Sequence, residues 1–369
     1  MKVVVNILFL ASALSILFTS CERDPDPNDP IKIADQSFIN ALFYGALDEN
    51  GDLLIIDTDG NHNISYVEAE AVTYLNVGDQ GITDLSGIEA FINLEYLLCF
   101  QNELNDLDLS ENTALVGLSC WGNHLSTLDV SSNPELDSLD CGFNQLSALD
   151  VSINESLFWL QCSQNKLSAL DVSHNDSLKN LYCSDNQLTE MDVSGNSALI
   201  VLMCDVNQIS TLDVSNNSEL ESLFCAYCQI SSLDLSNNPA LTTLDCGENQ
   251  LSTLDLSNNR ALVNLYCSKN QLSTLNISSN SKLIDLYCEH NQLSSISTSN
   301  KLYLRHLFCG YNQIASLDIS RSFNLWVLDV TSMPTLSEVC VWEWPFPPEN
   351  ILVNSGHSPN VYYTTECSQ

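Results

Sequence analysis

A cysteine recurs at every twenty-first position from Cys99 through Cys120, Cys141, Cys162, Cys183, Cys204, Cys225, Cys246, Cys267 and Cys288 to Cys309. A strict period of this length, held over eleven units, demands a stack of like coils. One unit, Leu94 to Ala114, reads LEYLLCFQNELNDLDLSENTA. Leu94, Leu97, Cys99, Leu104, Leu107 and Leu109 form its apolar set. No single coil can bury that set, so stability must be a sum of contacts between neighbouring coils.

The first half of the unit, L-x-x-L-x-C-x-x-N-x-L, resembles the leucine-rich-repeat signature. The second half, L-x-x-L-D-L-S-x-N, nearly repeats it. This nesting resembles the IRREKO type of leucine-rich repeat, a bacterial class laid out like the internalins. The match runs over residues 72–341, with eleven regular units, an irregular one from Val72 and a degenerate one from Leu325. The resemblance implies a mostly β leucine-rich-repeat solenoid of about 13 coils, with a small helical N-terminal cap and an irregular C-terminal cap. Apolar alternation in both half-repeats predicts short parallel strands on two sides of each coil. Coils stacked at about 4.8 Å give a rod roughly 60 Å long.

Asn102, Asn123, Asn144, Asn165, Asn186 and Asn207 follow each cysteine by three residues, and the column resumes at Asn249, Asn270, Asn291 and Asn312. An inward asparagine there can bond backbone groups of its own and adjoining coils. The Cys225-x-x-Cys228 pair looks like a redox or zinc motif, yet it is the coincidence of two structural columns, with Cys228 standing where other units carry asparagine. The ladder cysteines are expected to be buried free thiols behaving as small hydrophobes.

The flanks differ from the repeat. Residues 1–20 read as an export signal that resembles a bacterial lipobox ending at Cys21, which implies cleavage before that cysteine and acylation of its thiol. An acidic, proline-rich tether follows over 21–33. Residues 34–71 form the N-terminal cap, with helices expected over 35–47 and from Ser65. Between them, DTDGNHNISYVE resembles an EF-hand calcium loop. Asp57, Asp59, Asn61, Ser65 and Glu68 match loop positions 1, 3, 5, 9 and 12, and Asn63 would offer its backbone carbonyl. His62 stands where that loop wants glycine. The cofactor implied is Ca2+, bracing the cap. In the C-terminal cap, 342–369, the period fails; Cys340 and Cys367 lie off the ladder and are expected to pair in an oxidising compartment.

The 47 acidic and 11 basic residues give a net charge of −36. That excludes nucleic acid as a partner and anionic lipid as an electrostatic dock. No spacing among the six histidines fits a zinc protease, and no nucleophile elbow or phosphate loop is present, so catalysis is not expected. The second half-repeat hardly varies along the chain, whereas the residue before each cysteine varies strongly and is often aromatic. Tyr182, Phe224, Tyr266, Tyr287 and Phe308 are therefore the expected ligand-binding residues. A cell-surface, lipid-anchored module binding a protein partner follows, with a glycan-binding lipoprotein or a structural envelope protein as alternatives. A column of aspartates, from Asp108 to Asp255 with a return at Asp318, places like charges about 5 Å apart; unrelieved, repulsion of about 1–3 kcal/mol per pair would raise their pKa values.

Overall fold

The computed structural model describes residues 26–367. The expected export signal and Cys21 lie outside the described residues.

Each coil contributes one three-residue strand whose middle residue, a leucine in nearly every coil, points inward. The strands are Tyr74–Asn76, then Tyr96–Leu98 and every twenty-first residue through Val327–Asp329, then Leu352–Asn354. They form a 14-stranded parallel sheet in chain order. Equivalent residues stand side by side, as in Leu97↔Leu118 and Leu265↔Leu286. This register buries all the inward leucines and ladder cysteines in one continuous core. The count is one coil more than expected, because the segment from Leu352 to Thr364, expected to be irregular cap, completes a final coil.

Strands on a second side of the coil are the exception rather than the rule. Among the described residues only Ser316–Asp318, Glu338–Cys340 and Tyr362–Thr364 form a second sheet, with isolated bridges at Asp192↔Asp213 and Asp255↔Asn276. Each aspartate of the constant column accepts the amide two residues on, as Ser110 N donates to Asp108 Oδ1 at 3.0 Å and Ser152 N to Asp150 Oδ1 at 2.9 Å. Asp318 makes the same turn inside the second sheet, accepting Ser320 N at 2.9 Å while Ile319 N continues the ladder to Cys340 O, so turn and strand coexist there.

Two asparagine columns tie coil to coil. Asn123 Nδ2 donates to Cys99 O and Cys120 O, and its Oδ1 accepts from Leu104 N. The residue before the column takes the left-handed region even where it is β-branched, as at Val206 with φ 55°, and does so before Cys228 as well, at Tyr227 with φ 51°. The second column, Asn112 to Asn280, is completely buried. Asn175 Nδ2 bonds Val151 O and Asn154 O, while its Oδ1 has no partner. In the next coil this column holds Lys301, also fully buried.

The N-terminal edge of the sheet is closed. Asp35 caps the helix Gln36–Tyr44 through Phe38 N, and its other oxygen accepts Thr83 N and Oγ1 at 2.9 and 2.6 Å. Leu47 bridges to Asn76 on the first strand. At the far end Cys340 and Cys367 are joined by a disulfide, beside a cluster of Trp342, Phe346 and Tyr363.

Candidate functional site

Because the middle strand residue points in, the first and third point out. The third positions run Tyr182, Met203, Phe224, Asp245, Tyr266, Tyr287, Phe308, Asp329, each in register with the next. All are half-buried. The five aromatic residues singled out from sequence thus share one face but fall into two runs. Tyr266, Tyr287 and Phe308 form an unbroken stack, with centroids 5.0 and 4.4 Å apart. Tyr182 leans on Trp159 at 4.8 Å and reaches Phe224 only across Met203. Asp245 divides the runs.

Several neighbours escaped the sequence argument. His306 Nδ1 lies 2.6 Å from Asp285 Oδ1 on the first-position column, and the Arg305 guanidinium sits 4.5 Å over the Trp326 ring. His306 and Asp285 are one period apart, so a search of that column for opposite charges would have found the pair. At the turn edge of the face, His290 and Tyr311 stack at 3.9 Å, and Tyr227 is 58% exposed. Burial pushes the Asp245 carboxyl and the Tyr182, Tyr266 and Tyr287 hydroxyls upward.

The constant flank behaves differently. The carboxyls of Asp108, Asp150 and Asp234 lie below the usual range because the following serine amides and hydroxyls bond them. Expected repulsion is present only as a smaller opposing effect at Asp108 and Asp150, so the upward shift it would cause does not occur. Cys225 and Cys228 are buried and unpaired, and burial raises both thiols.

In the cap, Asp57 Oδ1 accepts the amides of Gly60 and Asn61, and Oδ2 that of His62. Asn61 N and Nδ2 reach Asp59, and Asn63 N donates to Asn61 Oδ1. Carboxylate oxygens of Asp57, Asp59 and Glu68 lie within 4.8 Å of one another. Ser65 and Glu68 form a reciprocal capping box on the helix Tyr66–Glu70. Burial opposes the charge on Glu68, but bonds from Ser65 and Thr58 outweigh it and bring its pKa to about 2. His62 takes φ 64°, a left-handed conformation at the position where the EF-hand pattern carries glycine.

Together the single parallel sheet, the asparagine columns and the internal thiol column define a cysteine-ladder leucine-rich-repeat solenoid. The functional domain of InlJ from Listeria monocytogenes, described as including a cysteine ladder, is similar over 75% of this chain and 69% of its own, with 34% identity and a TM-score of 0.70. The chain belongs to the internalin-like leucine-rich-repeat proteins. A leucine-rich-repeat protein of Leptospira interrogans matches at 25% identity, TM-score 0.62, over 66% of this chain and 68% of that one. Internalin InlF of L. monocytogenes, at 20% identity, shares the fold over 91% of this chain and 96% of its own, TM-score 0.62. No family model matches the chain, and no curated protein matches it. Solenoids of this kind serve as binding scaffolds through their extended concave surface. No helix among the described residues is long and apolar enough to cross a membrane.

Proposed function

We propose that the protein is an exported, lipid-anchored binding module that engages a protein partner through the outward strand face. The observation that carries this is the aromatic column of Tyr182, Phe224, Tyr266, Tyr287 and Phe308. Its residues sit on a face whose structural work is already done by the leucines beneath. Half-exposed aromatic runs on a rigid sheet match the composition of protein interfaces, where Tyr, Phe and Trp are enriched. The anchor reading rests on the sequence ending at Cys21 and places the acidic tether between membrane and solenoid. The test is a pull-down with the full-length protein from host and bacterial surface extracts, comparing wild type with a Tyr266→Ala, Phe308→Ala variant. A partner retained by the first and lost by the second supports the reading. A partner held equally by both places recognition elsewhere, and displacement by simple oligosaccharides moves the ligand to glycans.

The cap is proposed to hold one Ca2+ through Asp57, Asp59, Asn61, Glu68 and the Asn63 carbonyl, with Ser65 at the ninth position. Its supporting observation is the loop geometry, including the left-handed His62. The ion would brace the cap against the first coils rather than act as a signal.

A further inference from the structure

Resting on the reading of the strand face as the binding surface, we infer that the partner presents a basic segment, and that an arginine or lysine side chain enters the gap between the two aromatic runs.

The gap is built by residue size. Asp245 stands in register between Phe224 on one side and Tyr266 on the other. Two positions beyond the strand's third residue, neighbouring coils carry Asp205, Ala226 and Gly247, so the side chains that would fill the turn edge between the Asp205 and Asp245 coils are reduced to a methyl group and a hydrogen. Asp205 is oriented by Ser184, whose hydroxyl donates to its Oδ1 at 2.6 Å. Asp245 is oriented by Gly247 N, which donates to its Oδ1 at 3.1 Å. Asp205 and Asp245 belong to coils two apart in register, and the charge on Asp205 adds to burial in raising Asp245.

Among the described residues neither carboxylate has a basic partner. Lys269, one coil on from Asp245, is already engaged by Glu248. Charge left uncompensated between two aromatic rings suits one class of group. A guanidinium or ammonium can bond the carboxylates while the ring faces attract its charge. A hard metal ion would want six or more oxygens, which two carboxylates walled by hydrocarbon do not supply. Further along the face Glu289 and Asp329 continue the same sign beside Tyr287 and Phe308. With a net charge of −36, the molecule also draws a basic segment toward itself over distance.

The test must separate this site from general attraction. Fluorescent Arg-Gly-Ser, Glu-Gly-Ser and Gln-Gly-Ser repeat peptides are titrated against the full-length protein at physiological ionic strength, where distant charges are screened. Variants are Asp245→Asn, Asp205→Asn, Tyr266→Ala and, on the opposite flank, Asp171→Asn. Asparagine keeps the acceptor that Gly247 uses, so Asp245→Asn should fold. The basic peptide should bind wild type, weaken by about tenfold in Asp245→Asn and Tyr266→Ala, and be unmoved by Asp171→Asn. Equal weakening by Asp245→Asn and Asp171→Asn reduces the effect to net charge and overturns the inference. A neutral or acidic peptide that needs Tyr266 but not Asp245 overturns the basic partner while sparing the binding face. No peptide dependence on Tyr266 at all counts against both.

Discussion

The rings of Tyr287 and Phe308 lie face to face, 4.4 Å between centroids and 11° between planes, directly above the buried Leu286 and Leu307 of the same two strands. On the proposed reading the outer layer recognises a partner and the inner layer holds the coil. Truncating them should therefore have unlike effects. Phe308→Ala should cost about 0.5–1.5 kcal/mol of stability, the size of an aromatic pair. Leu307→Ala should cost about 2–5 kcal/mol, as for a core cavity. Denaturant unfolding of the two variants checks this; equal costs would make the stripe part of the core.

Lys301 replaces asparagine in a column whose asparagines donate to carbonyls one coil back. Its ammonium bonds only Asn300 Oδ1, and burial brings its pKa down to about 8. Lys301→Asn should restore the column and raise stability by about 1–3 kcal/mol. The pH signature has a defined sign. Between about 8 and 10.5 the unfolded lysine holds a proton that the folded one has released, so wild type gains stability over that window relative to Lys301→Asn. Melting curves of both proteins across it decide the matter; parallel curves would show that the buried amine is not penalised.

The constant aspartates should make the solenoid sensitive to acid. Their folded pKa values lie below the ordinary 3.8, so their contribution is complete above that pH and is lost as pH falls below it. Asn276 already makes the same turn, accepting Ser278 N at 3.1 Å. Asp150→Asn with Asp171→Asn should thus keep the turn but lower the neutral-pH Tm, with the difference from wild type closing as pH falls below 3.8. A Tm that rises on acidification would mean repulsion governs after all.

Among the ladder thiols, burial pushes Cys99 and Cys162 up to about 12, and the rest upward as well. Native protein should resist iodoacetamide for hours. Cys228, at 8% exposure, should be the first to react, while Cys225 stays protected. Mass mapping that finds Cys225 modified first would place the ladder outside the core.

For the cap, calorimetry should record binding of one Ca2+, abolished by Asp57→Ala, with a higher Tm when the ion is present. No heat, or the same heat in the variant, would leave the loop as a capped turn.

The coil period was legible because cysteine, leucine and asparagine each repeat at the same step. Second-side strands are overread from the sequence because an L-x-L alternation fits any extended chain, and the Asp-to-Ser turn does not mark the difference, since Asp318 makes it inside the second sheet. The last coil was hidden by spacing. Ser316 pairs with Glu338 and Val327 with Leu352, steps that depart from 21. On the face, the aromatic column was readable from alternation alone. Its division by Asp245 shows in the same column, between Phe224 and Tyr266, whereas the placing of Asp205 past Ala226 and Gly247 is a relation across two periods that no single repeat displays.

One flank of the coil is architecture, and the other is proposed to recognise a partner. Photocrosslinking tests this division most directly, with benzoylphenylalanine placed at Tyr287 in one full-length protein and at Ser236 on the constant flank in another, each exposed to the same surface extract. A discrete crosslinked product from position 287 and none from 236 is the predicted result. The reverse pattern, or the same product from both, would contradict the account.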